Sequence, residues 1–448
     1  MKYKTSKYNY FIDYKSRKLL FNGISGAAFH MSIEESQKLI TLMENIDQFA
    51  QNYPNDFDRL KKMGYIIEND FDEIAYLKFK NRQATLMNKA YQLTINPTLE
   101  CNFRCWYCYE KHPKGHITQS TTKQIKRHIK YMVEKERITE LMLDWFGGEP
   151  LLYFYEVMYP IAMYAKKLCA KFKVPYNSQM TTNAYCVNEK MIPYLSEMGT
   201  QHLQITVDGD RNRHNKIRNI NGEPTYDKIM HSINLLCSNL SNVHITLRIN
   251  YDNQTFKTDA IFAILDDIAV LNRKKISVNL QRVWQTEQTE DNKIEQQKRL
   301  TAFIEKCKEK GFCIAYYRGG IALNQFYSCY VSKYWHTEIN YDGKVYKCTA
   351  NDYSDKYVLG KLLPNGVIEW NQKIISQMYA NPNFENPHCL ACCYLPICNG
   401  PCPKVYMEIK NNVDINVNNC PLQIMEISFE KSIIDHYEFT HLKKTTYD

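Results

Sequence analysis

Within "CNFRCWYCYE", Cys101, Cys105 and Cys108 are spaced C-x3-C-x2-C, with Trp106 and Tyr107 between the last two. That spacing is poor for a zinc knuckle, and the only histidines close by are His112 and His116. Three thiolates suit a four-iron cubane better, because they leave one iron with an open position at which a reactant binds. Seven more cysteines follow a second pattern: Cys329-x13-Gly343-x4-Cys348, then Cys389-x2-Cys392-x5-Cys398-x3-Cys402, then Cys420. The chain holds 16 cysteines in all, and in a reducing cytosol such density means metal binding or catalysis, not a disulfide framework. The others, Cys169, Cys186, Cys237, Cys307, Cys313 and Cys393, are scattered and read mostly as small buried hydrophobes. Cys393, beside Cys392, is out of register with the pattern and reads as a bystander.

Polar residues of other kinds recur at the ends of apolar runs. "WFGGEP" offers Gly147 and Gly148 for close backbone approach and Glu149 as an acceptor for an ammonium group. "TTNAY" offers Thr182 and Asn183, "ITVDG" offers Asp208 and Gly209, and "LRIN" offers Arg248 and Asn250. Each alone is an ordinary turn or ion-pair residue. Their return at equivalent places along the chain is the signal.

Strands set those places. Runs at "YQLTIN", "LMLDWF", "NSQMTT", "HLQITVD", "VHITLRIN" and "KISVNLQRV" alternate with helical stretches such as "TTKQIKRHIKYMVEKE" and "YDKIMHSINLLCSN". Six successive βα units predict a parallel sheet in an α/β protein. Chemistry-bearing residues at the strands' C-terminal ends favour a partial (β/α)6 TIM-like barrel over a doubly wound sheet. Residues 91–310 are assigned to that barrel. Residues 1–90 carry a hairpin within 8–25, a capping box of Ser32 with Glu35, a helix closed by Gly64 and a strand at Tyr65–Ile67, and resemble a winged helix-turn-helix. Residues 311–448 lose the helical rhythm and turn rich in Tyr, Asn, Pro and Cys, so that segment needs metal to hold it together.

At 448 residues and 44% hydrophobic content, the chain has material for two or three domains with real cores. No apolar run approaches the ~20 residues of a membrane span, and "MKYKTSKYNYFIDYKSRK" lacks the apolar centre of a secretory signal. A cytoplasmic protein with no membrane partner is therefore expected. The net charge of +9 suits an acidic partner. The basic stretches at 123–137 and 211–219 fall within the barrel and read as solvated helix faces, which makes a nucleic-acid-binding regulator the weakest expectation.

With Tyr107 directly before its last cysteine, the triad resembles the signature of the radical S-adenosylmethionine (SAM) superfamily. The later series resembles the SPASM extension of that superfamily's peptide-modifying members. The resemblance implies that Cys101, Cys105 and Cys108 hold a [4Fe-4S] cluster whose open iron is chelated by SAM. It further implies that Gly147, Gly148 and Glu149 hold the methionine amino group, that Thr182 and Asn183 meet the ribose or carboxylate, and that Tyr107, Asp208 and Arg248 add cofactor contacts. An electron, supplied by a donor such as flavodoxin or ferredoxin, would cleave SAM to methionine and a 5′-deoxyadenosyl radical that takes hydrogen from an unactivated carbon. Carried over by position, Cys329, Cys348 and Cys402 would ligate auxiliary cluster I, and Cys389, Cys392, Cys398 and Cys420 auxiliary cluster II. Three [4Fe-4S] clusters with one SAM site call for eleven ligands, and the motifs supply ten. Auxiliary cluster I is one short: either its open iron takes a substrate thiolate, or Cys313 or His336 completes it.

The substrate implied is a ribosomally made precursor peptide whose leader adds as a strand to the N-terminal module. The product expected of this RiPP maturase is a thioether or carbon–carbon cross-link. The alternative is formylglycine formation in sulfatases, but members of that branch carry an acidic residue after the second motif cysteine, where Thr349 follows Cys348 here, and the extra ligand cysteine is missing. No side chain is singled out as a catalytic acid or base.

Overall fold

The computed structural model describes residues 2–256, 259–283, 285–286, 290–315, 326–379, 384, 386–403, 420 and 428–442. The chain divides into two compact units, one of Lys89–Tyr317 with Trp335–Ser376, the other of Met1–Asn88, Arg318–Tyr334 and Gln377–Asp448. The segment after 311 thus contributes to both.

In the first unit the six expected strands are β1 (Ala90–Ile95), β2 (Glu140–Trp145), β3 (Tyr176–Thr182), β4 (Thr200–Val207), β5 (His244–Tyr251) and β6 (Ile276–Arg282). Each lies parallel to the next in chain order. A short β7 (Cys313–Ile314) extends the sheet beside β6, and β8 (His336–Ile339) joins the opposite side in parallel with β1. Antiparallel β9 (Lys344–Tyr346), β10 (Gly360–Leu362) and β11 (Ile368–Trp370) follow. The resulting open sheet, ordered β7-β6-β5-β4-β3-β2-β1-β8-β9-β10-β11, fits a partial TIM-like barrel.

Helices cover the strands where the sequence gives them one apolar stripe. In the helix Gln119–Tyr131, Thr121, Ile125, His128 and Ile129 are buried at helical spacing, and the Thr118 hydroxyl caps the start by accepting from the Thr121 N–H. The matching strand face is apolar: Tyr91, Leu93 and Ile95 of β1 and Leu141, Leu143 and Trp145 of β2 are almost fully buried. The opposite face is not. The register sets Thr94 of β1 beside Asp144 of β2 and Glu338 of β8, with Gln92 beside His336, and the same face continues through Gln179, Thr206 and Arg248. Layered parallel sheets are ordinarily apolar on both faces. A polar face of this extent is suited to a polar ligand.

The second unit contains an antiparallel sheet of Asn9–Tyr14, Arg17–Asn22 and Ala28–Met31. The helix Ile33–Glu44 follows with both bonds of the Ser32/Glu35 capping box in place. The helix Pro54–Lys62 leads to Gly64 at φ +83°, and Ile66–Glu68 pairs with Tyr3–Thr5. Leu20, Met31, Phe49, Phe57 and Tyr65 form a core belonging to the N-terminal residues alone. Two other cores are shared: Tyr10 and Phe21 pack with Ile397, Phe429 and Ile433, while Tyr8 and Leu77 pack with Phe384 and Leu395. The N-terminal sheet thereby supplies apolar surface that the cysteine-rich segment lacks. Among the described residues no helix is long and apolar enough to cross a membrane.

Candidate functional site

The expected cofactor contacts of β1 to β5 gather at the strands' C-terminal ends, around the loop that carries Cys101, Cys105 and Cys108. The two glycines after β2 make this possible. A Cβ at Gly147, whose φ is +91°, would lie 2.3 Å from the Thr98 carbonyl oxygen, and one at Gly148 would lie 2.2 Å from that of Glu100. The β2 loop therefore presses directly on the backbone entering Cys101, and the Glu149 N–H donates to the Glu100 carbonyl at 2.7 Å. Gly148→Ala should force these backbones apart, costing about 1–3 kcal/mol by the usual scale for overpacking. Urea unfolding and iron retention after reconstitution would measure both consequences.

Glu149 is fully buried. Its Oε1 accepts from the Leu151 N–H at 3.0 Å and the Thr182 hydroxyl at 2.7 Å, and its Oε2 accepts from the Asn183 N–H at 2.7 Å. Burial raises its pKa, against the lowering effect of those donors and of Arg218. Glu149 thus ties the ends of β2 and β3 together while Oε2 keeps acceptor capacity for an ammonium group. The Asn183 side chain reaches the cysteine loop, donating to Asn102 Oδ1 at 2.7 Å.

On the other side of the loop, the Tyr107 hydroxyl donates to Asp208 at 2.7–2.8 Å and accepts from the Asn250 side chain at 2.9 Å, and Asn250 accepts from Arg248 Nε at 2.9 Å. Four residues drawn from three separate motifs form one connected network. Its anchor was not expected: Arg218 donates through Nε to Asp208, with only 11% of its side chain exposed. The solvated-face reading of 211–219 is corrected at this residue. The helix Arg211–Ile217 turns the chain back so that Arg218 meets the end of β4, and its charge is felt at Cys105. His214 fixes the turn. Its Nδ1 accepts from the Asp208 N–H at 3.3 Å, its Nε2 meets Thr225 Oγ1, and burial first, then Arg218, holds its pKa down to about 3.

The donor set fits an iron–sulfur cluster. The Phe103 N–H points at Cys101 Sγ at 3.4 Å. Burial, with the Glu149 carboxylate adding, pushes the Cys101 thiol up to about 12, and burial raises Cys105 despite Arg218. Thiols of this kind give up their protons only to a strong positive charge, which iron provides. Among the described residues no three Cys, His, Asp or Glu side chains close on a single metal ion; a cubane distributes its thiolates over separate irons and needs no such closure. His112 bonds the Leu99 carbonyl and His116 stacks on Tyr153, so both have structural roles.

The later cysteines divide by unit. In the second unit, burial raises Cys389 to about 11, with Cys392 and Cys420 adding, and raises Cys398 to about 12, with Cys420, Cys389 and Cys392 adding. Cys389 and Cys398 thus each lie within electrostatic reach of the other three of these cysteines. Ser328, beside Cys329, donates to the carbonyl of Pro401, beside Cys402. Cys348 belongs to the first unit, where the Ala350 N–H approaches its sulfur at 3.4 Å, and the Tyr394 N–H does the same for Cys392. An amide two residues on thus donates to sulfur at Cys101, Cys348 and Cys392, a bond that favours the thiolate. His336 meets Thr94 Oγ1 at 3.2 Å, and Cys313 lies on β7.

Residues 95–262 match the family model described as the radical SAM superfamily. A serine-type anaerobic sulfatase-maturating enzyme of Bacteroides thetaiotaomicron is 24% identical over 147 residues, 30% of this chain and 34% of that protein, so the chain spans about a third of that relative's length. The solved structure of native anSMEcpe with bound AdoMet is similar with a TM-score of 0.57 at 17% identity, over 79% of this chain and 98% of the other. Streptococcus suis SuiB bound to precursor peptide SuiA is similar with a TM-score of 0.51 at 16% identity, over 93% and 99%. At those identities the two structures show a shared fold.

Proposed function

We propose that this chain, a radical SAM enzyme by its domain at 95–262, modifies a ribosomally made precursor peptide by installing a thioether or carbon–carbon cross-link. The observation that carries the reading is the joining of the Gly147–Glu149 loop, Asn183 and the Tyr107–Asp208–Arg218 network to one cysteine loop. Fold likeness to SuiB bound to its precursor peptide, over 93% of this chain, supports the peptide substrate.

Cys101, Cys105 and Cys108 would hold a [4Fe-4S] cluster with SAM beside it, and together these groups would supply the one-electron reductive chemistry that makes hydrogen abstraction from a peptide carbon possible. The chain's residues provide position and exclusion of water. Glu149 offers Oε2 to the amino group of the cofactor, Thr182 and Asn183 flank it, and Tyr107, Asp208 and Arg248 hold the opposite side. Asp208 and Arg218 fix Tyr107, and with it the backbone of the neighbouring Cys108. By the same resemblance, Cys389, Cys392, Cys398 and Cys420 of the second unit would hold an auxiliary cluster, which would supply an acceptor for the electron left after bond formation. In the N-terminal sheet, Asn9–Tyr14 and Ala28–Met31 are the edge strands that a leader could extend.

The curated relative from Bacteroides favours a second reading, sulfatase maturation. Product chemistry separates the two. Reduced holoenzyme and SAM are incubated with a precursor peptide encoded beside the gene, and in parallel with a peptide carrying a sulfatase maturation site. A cross-link removes two hydrogens and leaves a gap in the fragment series between the joined residues, whereas formylglycine is a single aldehyde that a hydrazide traps. Turnover of the sulfatase peptide alone would overturn the cross-linking assignment. Iron content after reconstitution should be about 11–12 per chain for three cubanes, and a value near four would remove the auxiliary clusters from the proposal.

A further inference from the structure

Several buried acceptor oxygens in the first unit have no hydrogen-bond donor among the described residues, and four of them, Oε2 of Glu338, Oε2 of Glu110, and Oδ1 of Asn96 and Asn340, are grouped near the end of β8. Asn96 and Glu338 are completely buried and Asn340 is 2% exposed. They belong to one place. Asn96 Nδ2 donates to Glu338 Oε1 at 3.0 Å, and the Tyr353 hydroxyl donates to the same oxygen at 2.6 Å. Asn340 follows the end of β8, two residues beyond Glu338, and the Asn96 N–H donates to the carbonyl of the adjacent Ile339 at 3.0 Å. Glu110 lies close enough to feel the Glu338 charge, and it follows Cys108 by two residues, which puts the pocket beside the cysteine loop.

Burying an acceptor without a donor is unfavourable. Four such acceptors in one buried cluster, two of them carboxyls, match a ligand that is rich in N–H donors and positively charged. None of those four oxygens accepts a hydrogen bond from a described residue. Lys347 donates to the His336 carbonyl and lies over the Trp370 ring, and Arg248 donates to Asn250. A metal ion is the poorer match, since no three potential ligands close on a point among the described residues. An ammonium presents three donors and a guanidinium five, matching the spread of separate oxygens.

We propose that this pocket binds an alkylammonium or guanidinium group of the peptide substrate and holds it beside the cysteine loop through Glu338, Glu110, Asn96 and Asn340. The inference rests on the peptide-substrate reading and adds to it the class of side chain or terminus that the substrate presents near the reacting centre.

Saturation-transfer NMR and calorimetric titration of the reconstituted enzyme test it, with n-butylammonium as the probe and n-butanol as its neutral counterpart. The wild-type enzyme should bind the ammonium and not the alcohol. Glu338→Gln keeps the shape but places a donor where the acceptor stood, and should weaken binding roughly tenfold or more. Asn340→Asp adds a charged acceptor and should tighten it several-fold. Thermal unfolding of both variants checks that each is folded. Absent binding, equal binding of the alcohol, or an affinity indifferent to both substitutions would overturn the proposal. SAM carries an ammonium too, so competition is decisive: simultaneous binding of SAM and n-butylammonium supports a substrate pocket, and displacement by SAM assigns it to the cofactor and refutes the proposal. Formation of 5′-deoxyadenosine by the wild-type enzyme is scored separately. Its absence while n-butylammonium binds as expected would sink the function proposed above and leave the cation pocket in place.

Discussion

Arg218→Met is expected to destabilise the protein by about 3–5 kcal/mol, the usual consequence of removing one partner of a buried ion pair. Asp208 is 1% exposed, and Arg218 is the cation that meets it. Without the guanidinium, the buried carboxylate keeps, among the described residues, the Tyr107 hydroxyl as its side-chain donor. Arg218→Lys should recover only part of the loss, because a point-charge ammonium does not reproduce the directed Nε–H bond. Removing both charges, as Asp208→Leu with Arg218→Met, should cost less than the sum of the single changes. A functional effect accompanies the structural one. The guanidinium lies near Cys105 and favours the more negative, reduced state of a cluster held there, so its loss should lower that cluster's midpoint potential. Urea unfolding and potentiometric EPR report the two effects independently. If neither moves, Arg218 is solvated and the network is incidental.

The strands and cysteine loops were legible because they follow local rules. Period-two burial located β1 to β6 to within a residue or two, and thiol spacing is covalent geometry that needs no tertiary knowledge. Glu149, Asn183 and Asp208 could be singled out because strand ends of parallel βα units face one side. Arg218 could not, since its stretch, "RNRHNKIRN", has the composition of a solvated helix. Only the tertiary path of the helix Arg211–Ile217 decides that Arg213 and Arg218 turn to Asp252 and Asp208 while Arg211 faces outward to Asp227. Glu338 was hidden for a related reason. In "HTEINYDGKVYKC" it reads as one polar residue of an ordinary hairpin, and the parallel pairing of β8 with β1, across 242 residues of sequence, brings it against Asn96. The sharing of cores between Tyr8, Tyr10 and the segment around Leu395 is equally non-local. In that region the cysteine-rich stretch is poor in apolar residues, and only its packing on the N-terminal segment gives it a core.

Replacing any one of Cys101, Cys105 or Cys108 by Ala is expected to abolish 5′-deoxyadenosine formation and remove about four irons per chain, leaving about seven to eight on the auxiliary sites. A cubane that keeps one iron open for SAM has no spare protein ligand, so two remaining thiolates do not retain it. Other cysteines provide the controls that a general loss of folding would fail. Cys393 is exposed and out of register, so Cys393→Ser should change neither iron nor activity. Cys169, Cys237 and Cys307 are at most 1% exposed and pack in the core. Their replacement by Ser puts a hydroxyl where a small hydrophobe stood, which should lower stability by about 1–3 kcal/mol without changing iron stoichiometry in the folded fraction. Cys389→Ala or Cys398→Ala should remove iron from the second unit while SAM cleavage in the absence of peptide persists, because their thiols lie among Cys392 and Cys420 and not in the β1 loop. Equal iron loss across all these variants would mean that iron content reports folding and not ligation, and the assignment of Cys101, Cys105 and Cys108 to a SAM-binding cluster would fall with it.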